Sequence, residues 1–270
     1  MSIPIVILAG RRGATQDALA SAAGVTHKCI VPVAGVPMIL RVLRTVAEAM
    51  PGSPLVIAVD DLTVLEALPE VRALCDAGRL RLVQAAENIF DSVIAVAREA
   101  PPPFIITTAD NVLMSGEALL RMADFARVSR AEAVFAMARR EDILAVHPTG
   151  QRRFYQFRDG DFANCNMYLV GSRNALRAAE AFRGGGQFLK APKRMVDAFG
   201  LVNLLAYRFK LRTIEGTGRA VGRRFGVKLR PLIFADGRLA IDVDSEVSKR
   251  VTEEILARAD QPDGGERVSA

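Results

Sequence analysis

The residues that could do chemistry begin directly after the first apolar run of the chain, residues 3–8. Glycine lets backbone N–H groups approach an anion closely, while arginine and lysine supply the positive charge that a polyphosphate needs. Segment 8–28 combines both properties and is interpreted as a cradle for a nucleoside triphosphate. Its candidate residues are Leu8, Ala9, Gly10, Arg11, Arg12, Gly13 and Lys28.

A carboxylate stands at the end of a later apolar run. Residues 104–109 read as a strand, and Asp110 follows them directly. Mg²⁺ is typically held by one or two carboxylates together with substrate oxygens, and it neutralises charge on a departing pyrophosphate. Asp110 is therefore a candidate magnesium ligand, although an aspartate that caps a turn would have the same sequence context.

The elements that must position these residues alternate between strand and helix. Short β-branched runs predict buried strands, and the segments between them have helical spacing. This alternation predicts parallel pairing with helices on both faces, with ligands at the carboxyl ends of the strands. Predicted strands are 55–59, 80–83, 134–137, 152–157, 162–170, 229–235 and 238–243, and predicted helices include 63–76, 115–128 and 245–258.

The opening segment resembles a known family. Leu8-Ala9-Gly10, Gly13, Lys28 and the run Pro32-Val33-Ala34-Gly35-Val36-Pro37-Met38 match nucleotidyltransferases with a molybdenum-cofactor-guanylyltransferase-like domain. That group includes the sugar-phosphate and alditol-phosphate nucleotidyltransferases. Arg11 stands where a second glycine is usual, and Thr15-Gln16 replace Arg-Met. The resemblance implies a Rossmann-like, glycosyltransferase-A-like α/β/α sandwich of three layers with a mostly parallel, mixed central sheet.

The resemblance also implies roles for individual residues. Lys28 with Arg11 or Arg12 would hold the triphosphate, and Asp110 and Asp244 would hold Mg²⁺. Asn88 and Ser92 occupy the places of nucleotide-binding residues, and Asn164 and Asn166 those of acceptor-binding residues. For Asn88 and Ser92, helix capping is the alternative interpretation. Structural roles also stay open for Asp242 and Asp244, as does turn-edge polarity for Asn164 and Asn166.

The function implied is Mg²⁺-dependent transfer of a nucleoside monophosphate from a triphosphate to a phosphorylated small-molecule acceptor, with release of pyrophosphate. CTP or GTP is the favoured donor. Two alternatives stay open: a nucleotide-binding regulatory protein without turnover, and a nucleotide-sugar glycosyltransferase. A dinucleotide-dependent oxidoreductase is disfavoured because Gly10-Arg11-Arg12-Gly13 is not a G-x-G-x-x-G loop.

Composition limits the partners and the compartment. The net charge is +6, but only 6% of the 270 residues are aromatic and none is Trp, so anionic small molecules are favoured over nucleic acid. Cys29, Cys75 and Cys165 have no metal-ligand spacing, which indicates a reducing, cytoplasmic location. No transmembrane segment is expected, and a homodimer is possible.

One nucleotidyltransferase domain is expected over residues 1–258, followed by a disordered tail at 259–270. Within the domain, residues 184–235 form a basic helical insertion, expected on the acceptor side. Contact with substrate, a dimer or membrane-surface face, and merely solvated charge are all compatible with this composition.

Overall fold

The computed structural model describes residues 2–11, 17–180 and 200–259. Their central sheet has the strand order β10-β7-β9-β6-β1-β4-β5, with β8 paired to β9 at the side. Strands β2 and β3 form a separate small hairpin. The strands are β1 (Ile5–Leu8), β2 (Pro32–Val33), β3 (Val36–Pro37), β4 (Leu55–Val59), β5 (Leu80–Gln84), β6 (Phe104–Thr108), β7 (Ala133–Arg139), β8 (Tyr155–Phe157), β9 (Gly160–Val170) and β10 (Leu229–Phe234).

Helices connect these strands, and several of them begin at capping side chains. Asn88, Ser115 and Thr213, for example, each accept a backbone N–H of the first helical turn. The described helices are α1 (Ala18–Ala22), α2 (Met38–Ala49), α3 (Leu62–Glu66), α4 (Pro69–Asp76), α5 (Ile89–Glu99), α6 (Gly116–Ser129), α7 (Arg140–Val146), α8 (Arg173–Glu180), α9 (Leu201–Arg208), α10 (Ile214–Phe225) and α11 (Glu246–Ala259), with 3₁₀ turns at Lys28–Ile30 and Gly237–Ala240.

The sheet is mixed and mostly parallel, which confirms the predicted α/β class. β1 lies parallel to both β4 and β6, so Leu8 stands beside Ala58 and Thr108. Only β9 runs against its neighbours β6 and β7 among the described strands of the main path. Val6 and Ile7 are buried on opposite faces of β1. The carboxyl ends of β1, β4, β5 and β6 therefore open at one edge of a rigid core.

Two sequence-based assignments are wrong in detail. The single helix predicted over 63–76 is two helices, α3 and α4, because Pro69 has no N–H to donate and restricts Leu68 to an extended backbone. The strand predicted over 238–243 is a 3₁₀ turn followed by irregular chain. Gly237 packs so closely on the backbone of α7 that a Cβ there would lie 2.3 Å from the Asp142 carbonyl oxygen. This packing on α7 leaves no space for a second strand next to Gly237.

The basic segment, residues 184–235, contributes one strand to the central sheet. Its described part comprises α9, α10 and β10, and β10 pairs parallel with β7 from Leu229 to Phe234. Gly222 of α10 lies against this strand with no space for a side chain, since a Cβ would be 2.5 Å from the Val227 carbonyl oxygen. Residues 181–199 and 260–270 lie outside the described residues. None of the described helices is long and apolar enough to cross a bilayer.

Candidate active site

Lys28 lies between two carboxylates that come from distant parts of the chain. Its Nζ donates to Asp110 Oδ2 at 2.6 Å and to Asp244 Oδ1. Burial alone would lower the pKa of Lys28, but the negative charges of Asp110 and Asp244 outweigh it and hold that pKa well above its usual value. The lysine is therefore fully charged at neutral pH.

Two hydrogen bonds hold Asp110 and the segment before Asp244 in place at the carboxyl end of β6. Thr108 donates its hydroxyl to Asp110 Oδ1 at 2.5 Å, and the N–H of Val243 donates to the Asp110 carbonyl at 3.1 Å. Val243 is fully buried and belongs to the same apolar cluster as Val112. Asp244, the next residue, has a side chain that is 68% exposed and so faces solvent next to Lys28.

A third carboxyl group, that of Asp242, is buried near Asp110 and Asp244. Asp242 has one carboxyl oxygen, Oδ1, that is buried without a hydrogen-bond partner. Burial, reinforced by the charges of Asp110 and Asp244, raises the pKa of Asp242 well above its usual range, against a hydrogen bond from Asn166 and the charge of Lys28. The cluster thus has more carboxyl groups than cations, and extra positive charge would stabilise it.

The donor set fits a hard divalent cation. Asp110 and Asp244 supply carboxylate oxygens on either side of the Lys28 ammonium group. Among the described residues, no group of three or more His, Cys, Asp or Glu side chains is placed so that it could hold a metal ion by itself. Magnesium needs no such group, because it is commonly bound by one or two carboxylates with water and substrate phosphates completing the shell.

A second ionic cluster holds the start of the loop after β1 next to Asp60. Arg11 donates its backbone N–H to Asp60 Oδ1 at 3.1 Å and its Nε to Oδ2 at 2.5 Å. The buried His27 ring lies 3.3 Å from the same carboxylate, and its Nδ1 contacts Thr26 Oγ1 at 2.9 Å. Burial raises the pKa of Asp60, but the hydrogen bonds from Arg11 are stronger, and the net effect lowers it. The sequence analysis did not single out Asp60, although its position at the end of β4 is a usable signal.

Gly10 allows three loops to meet at this edge. A Cβ at Gly10 would lie 2.9 Å from Ala85 Cβ and 4.0 Å from the Asp60 nitrogen. Leu8 and Ala9 continue β1 here, with the Ala9 N–H bonded to the Ala58 carbonyl at 2.8 Å. The predicted residues Arg12 and Gly13, together with Thr15 and Gln16, lie outside the described part of the chain.

Asn88 and Ser92 shape the adjoining loop through local hydrogen bonds. The Asn88 side chain accepts the Asp91 N–H at 3.0 Å and donates to the Asp91 carboxylate at 2.6 Å. Ser92 Oγ accepts the Ala86 N–H at 2.9 Å and donates to the Asn88 carbonyl at 2.9 Å. Asn88 therefore makes the helix-capping contact that was the alternative interpretation, whereas Ser92 lies in the first turns of α5 and bonds back to the loop before the helix.

Asn164 and Asn166 lie on β9, on the side of the buried carboxyl group. The pairing of β9 with β7 is irregular here, and Asn166 has a left-handed backbone with φ 46°. Asn164 accepts the Asn166 N–H at 3.1 Å, and Asn166 reaches Asp242. This contact connects the predicted acceptor residues with the predicted metal site, so Lys28, Asp110, Asp244 and Asn166 form one cluster.

Comparison with solved structures gives the same fold. A hypothetical transferase from Thermus thermophilus matches with a TM-score of 0.72 at 21% identity, covering 92% of this chain and 100% of that one. A CMP:2-keto-3-deoxy-manno-octonic acid synthetase complexed with CTP matches at 0.57 and 12%, covering 96% and 100%. A 4-diphosphocytidyl-2C-methyl-D-erythritol synthase from Anaerococcus prevotii matches at 0.56 and 11%, covering 95% and 99%.

The mixed sheet and its edge loops therefore define the nucleotidyltransferase, glycosyltransferase-A-like class of α/β fold. The sequence matches the family described as the MobA-like NTP transferase domain over residues 5–199, and the chain belongs to that family. Comparison with curated proteins finds no match.

Proposed function

We propose that this protein is a magnesium-dependent nucleotidyltransferase. It transfers a nucleoside monophosphate from a nucleoside triphosphate to a phosphorylated small molecule and releases pyrophosphate. The observation that carries the proposal is the meeting of Lys28 with Asp110 and Asp244 at the carboxyl edge of the sheet. A lysine at that edge beside clustered carboxylates suits a substrate that is itself a polyanion bound with a divalent cation.

In this proposal the basic residues bind and orient the donor. Lys28 holds the triphosphate and stabilises the charge that builds on it as the α-phosphorus is attacked, because its ammonium group stays charged in the partly buried cluster. Arg11 supplies a second cation after β1, and Gly10 and the sequence neighbours Arg12 and Gly13 are proposed to bind the triphosphate with it. The Leu8–Gly10 backbone, Asn88 before α5 and Ser92 within α5 bind the nucleoside.

The carboxylates would hold the metal. Asp110 and Asp244 are the proposed magnesium ligands, and Lys28 separates their negative charges when the cluster has no other cation. Bound Mg²⁺ would supply Lewis-acid polarisation of phosphate oxygens and charge neutralisation. The remaining work of the protein is positioning, which is the main source of acceleration in phosphoryl-type transfer.

The acceptor is proposed to approach from the β9 side. Asn164 and Asn166 are polar residues next to the carboxyl cluster, so they are suited to orient an acceptor phosphate toward the donor. CTP is the first donor to test, because one structural neighbour is a synthetase complexed with CTP and another is a diphosphocytidyl synthase. The core is proposed to act as one domain, with residues 184–235 on the acceptor side.

The test combines donor binding with turnover. Thermal melting is measured with CTP, GTP, ATP and UTP, each with Mg²⁺ or with chelator, because a ligand that binds only the folded state raises the melting temperature. Wild type is compared with Asp110→Asn and with Asp124→Asn, a control in α6 whose side chain is 72% exposed. Pyrophosphate release is then measured with the selected donor and a panel of sugar, polyol and amino-alcohol phosphates.

We expect a nucleotide-selective, Mg²⁺-dependent rise in melting temperature for wild type and Asp124→Asn that is lost in Asp110→Asn. Pyrophosphate release that requires both donor and acceptor would complete the case. Absence of any nucleotide effect would contradict the proposal. Tight binding with no release for any acceptor would favour a regulatory protein instead.

A further inference from the structure

One short stretch holds most of the exposed large apolar side chains in the described part of the chain. Eight such side chains are exposed there, and five of them fall between positions 201 and 211. We call these five the apolar patch. It consists of Leu201 (57% exposed), Val202 (71%), Leu205 (47%), Phe209 (64%) and Leu211 (61%).

The apolar patch is one face of a packed helix. Leu201, Val202 and Leu205 lie on one side of α9, and Phe209 continues that side one turn later. The opposite side rests on the protein: Ala206 is 6% exposed, and the Tyr207 ring contacts the Phe157 ring edge-on at 5.6 Å. The outward face is therefore set by packing on β8.

The end of the helix is fixed as well. Lys210 has a left-handed backbone with φ 51°, and the Leu211 N–H bonds to the Ala206 carbonyl at 2.8 Å. This is the usual geometry of a helix C-terminus with a left-handed residue. Leu211, which follows it, is 61% exposed and extends the patch beyond the last helical turn.

Cations are the only charged residues in the sequence that carries the apolar patch. The sequence from 200 to 214 contains Arg208, Lys210 and Arg212 and no Asp or Glu. Arg208 and Lys210 are exposed, and the Arg208 guanidinium lies 6.0 Å from the centre of the Phe209 ring. The next acidic residue, Glu215, is already paired with Arg219 and Arg230. The nearby carboxylates belong to the packed side of the stretch, where Asp159 accepts the Ile214 N–H at 2.9 Å and where burial together with the charge of Asp161 raises the pKa of Tyr207.

This combination distinguishes between possible occupants. A second copy of the chain would bring the same cations face to face, which is unfavourable in an isologous contact. An anionic lipid bilayer offers both complementary features: hydrocarbon for Leu, Val and Phe side chains, and negative headgroups for Arg and Lys. We propose that the apolar patch, with Arg208 and Lys210, docks the protein on the surface of an anionic bilayer.

Docking in this way would orient the rest of the molecule. Phe157, against which Tyr207 packs, pairs with Gly160 at the start of β9. β9 then leads to Asn164 and Asn166. A bilayer bound at the apolar patch would thus lie on the outer side of α9, with β8 and β9 on the inner side of that helix. The membrane contact itself is independent of the proposed nucleotidyl transfer.

The test is cosedimentation of the whole protein with vesicles. One set is phosphatidylcholine alone, and the other is equal parts of phosphatidylcholine and phosphatidylglycerol. We expect binding to the anionic vesicles only, weakened by added salt because the headgroup attraction is screened. The key variant is Val202→Asp. Its matched control is Val128→Asp in α6, where the wild-type valine is 74% exposed, against 71% for Val202.

Val202→Asp is expected to lower the ratio of vesicle-bound to free protein by roughly tenfold or more. The reason is that it puts a negative charge on the face that would enter the bilayer, where it is repelled by anionic headgroups. Val128→Asp should leave the ratio unchanged, and both variants should keep the wild-type melting temperature. Failure of wild type to bind anionic vesicles, or equal loss in both variants, would overturn the proposal. So would a dimer in sedimentation velocity that Val202→Asp dissociates, since the patch would then be a self-interface.

Discussion

Lys28 Nζ and Asp110 Oδ2 lie 2.6 Å apart although 82 residues separate them in sequence. β1 and β6 are neighbours in the sheet, so the loop after one and the end of the other meet at the same edge. Asp244 joins them from the segment before the last helix, through the bond from the Val243 N–H to the Asp110 carbonyl. The cluster is thus a product of topology.

The first prediction concerns Lys28. Lys28→Met keeps most of the side-chain volume but removes the charge that would stabilise the transferring phosphate, so kcat should fall about 10²–10³-fold. Steady-state pyrophosphate release measures the change. Lys228→Met is the control. Lys228 lies just before β10, where its Nζ donates to the Ser129 carbonyl, at the edge of the sheet opposite to the Lys28 cluster. Wild-type kcat in Lys28→Met would contradict the assigned role.

The second prediction concerns Asp60 and pH. Because the pKa of Asp60 is lowered in the folded protein, its ionised form stabilises the fold above its ordinary pKa of about 3.9, and that contribution is lost as pH falls through the lower folded value. Asp60→Asn should therefore reduce the free energy of unfolding by about 1.5 kcal/mol at neutral pH. The difference from wild type should close at acidic pH.

Melting temperatures of wild type and Asp60→Asn over a pH series would check this. Asp124→Asn serves as the control, since its carboxylate makes only an exposed pair with Arg127 and should change little at any pH. A constant difference between wild type and Asp60→Asn across the series would show that the ion pair with Arg11 is not its origin.

Much of this arrangement could be predicted from residue order. The apolar runs of β1 and β6 identified buried strands, the residue after β6 identified Asp110, and the glycine-containing basic segment 8–28 identified Lys28. The ion pair between Arg11 and Asp60 could not be predicted, because it depends on β4 lying beside β1 at that register. The interpretation of Asn88 and Ser92 stayed open for a similar reason: capping and ligand binding need the same side chains.

The C-terminal error has a different cause. Residues 238–243 alternate like a strand, but close packing of Gly237 on α7 determines the path of the chain there. Such a contact between distant backbones leaves no periodic signal in sequence. Asp242 illustrates the same limit, since its burial and its contact with Asn166 bring together residues that are far apart in sequence.

The third prediction concerns the backbone at Asn166. Its φ of 46° is accessible to Asn and Gly but strained for Ala. Asn166→Gly and Asn166→Ala both remove the contact with Asp242. The difference in stability between them therefore reports the strain that a left-handed backbone imposes on alanine. We expect Asn166→Ala to be less stable than Asn166→Gly by about 1 kcal/mol in chemical denaturation. Equal stability of the two variants would argue against a left-handed residue at this position.

The fourth prediction concerns Gly237. A Cβ at Gly237 would lie 2.3 Å from the Asp142 oxygen and 2.5 Å from the Ile143 Cα, and backbone atoms cannot move aside cheaply. Gly237→Ala should therefore lower the free energy of unfolding by about 2–3 kcal/mol. Gly52→Ala is the matched control, because a Cβ there meets nothing within 4 Å. Similar denaturation midpoints for the two variants would contradict the packing of Gly237 on α7.

The most direct test of the central claim is metal binding in the presence of nucleotide. Mn²⁺ replaces Mg²⁺ as a spectroscopic probe, and free Mn²⁺ is measured by electron paramagnetic resonance with CTP, and then with GTP. The variants are Asp110→Asn, Asp244→Asn and the control Asp124→Asn. If Asp110 and Asp244 hold the metal with the triphosphate on Lys28, wild type and Asp124→Asn will form a ternary complex. The two site variants will then bind Mn²⁺ at least about tenfold more weakly. Equal Mn²⁺ binding by all four proteins would contradict the account.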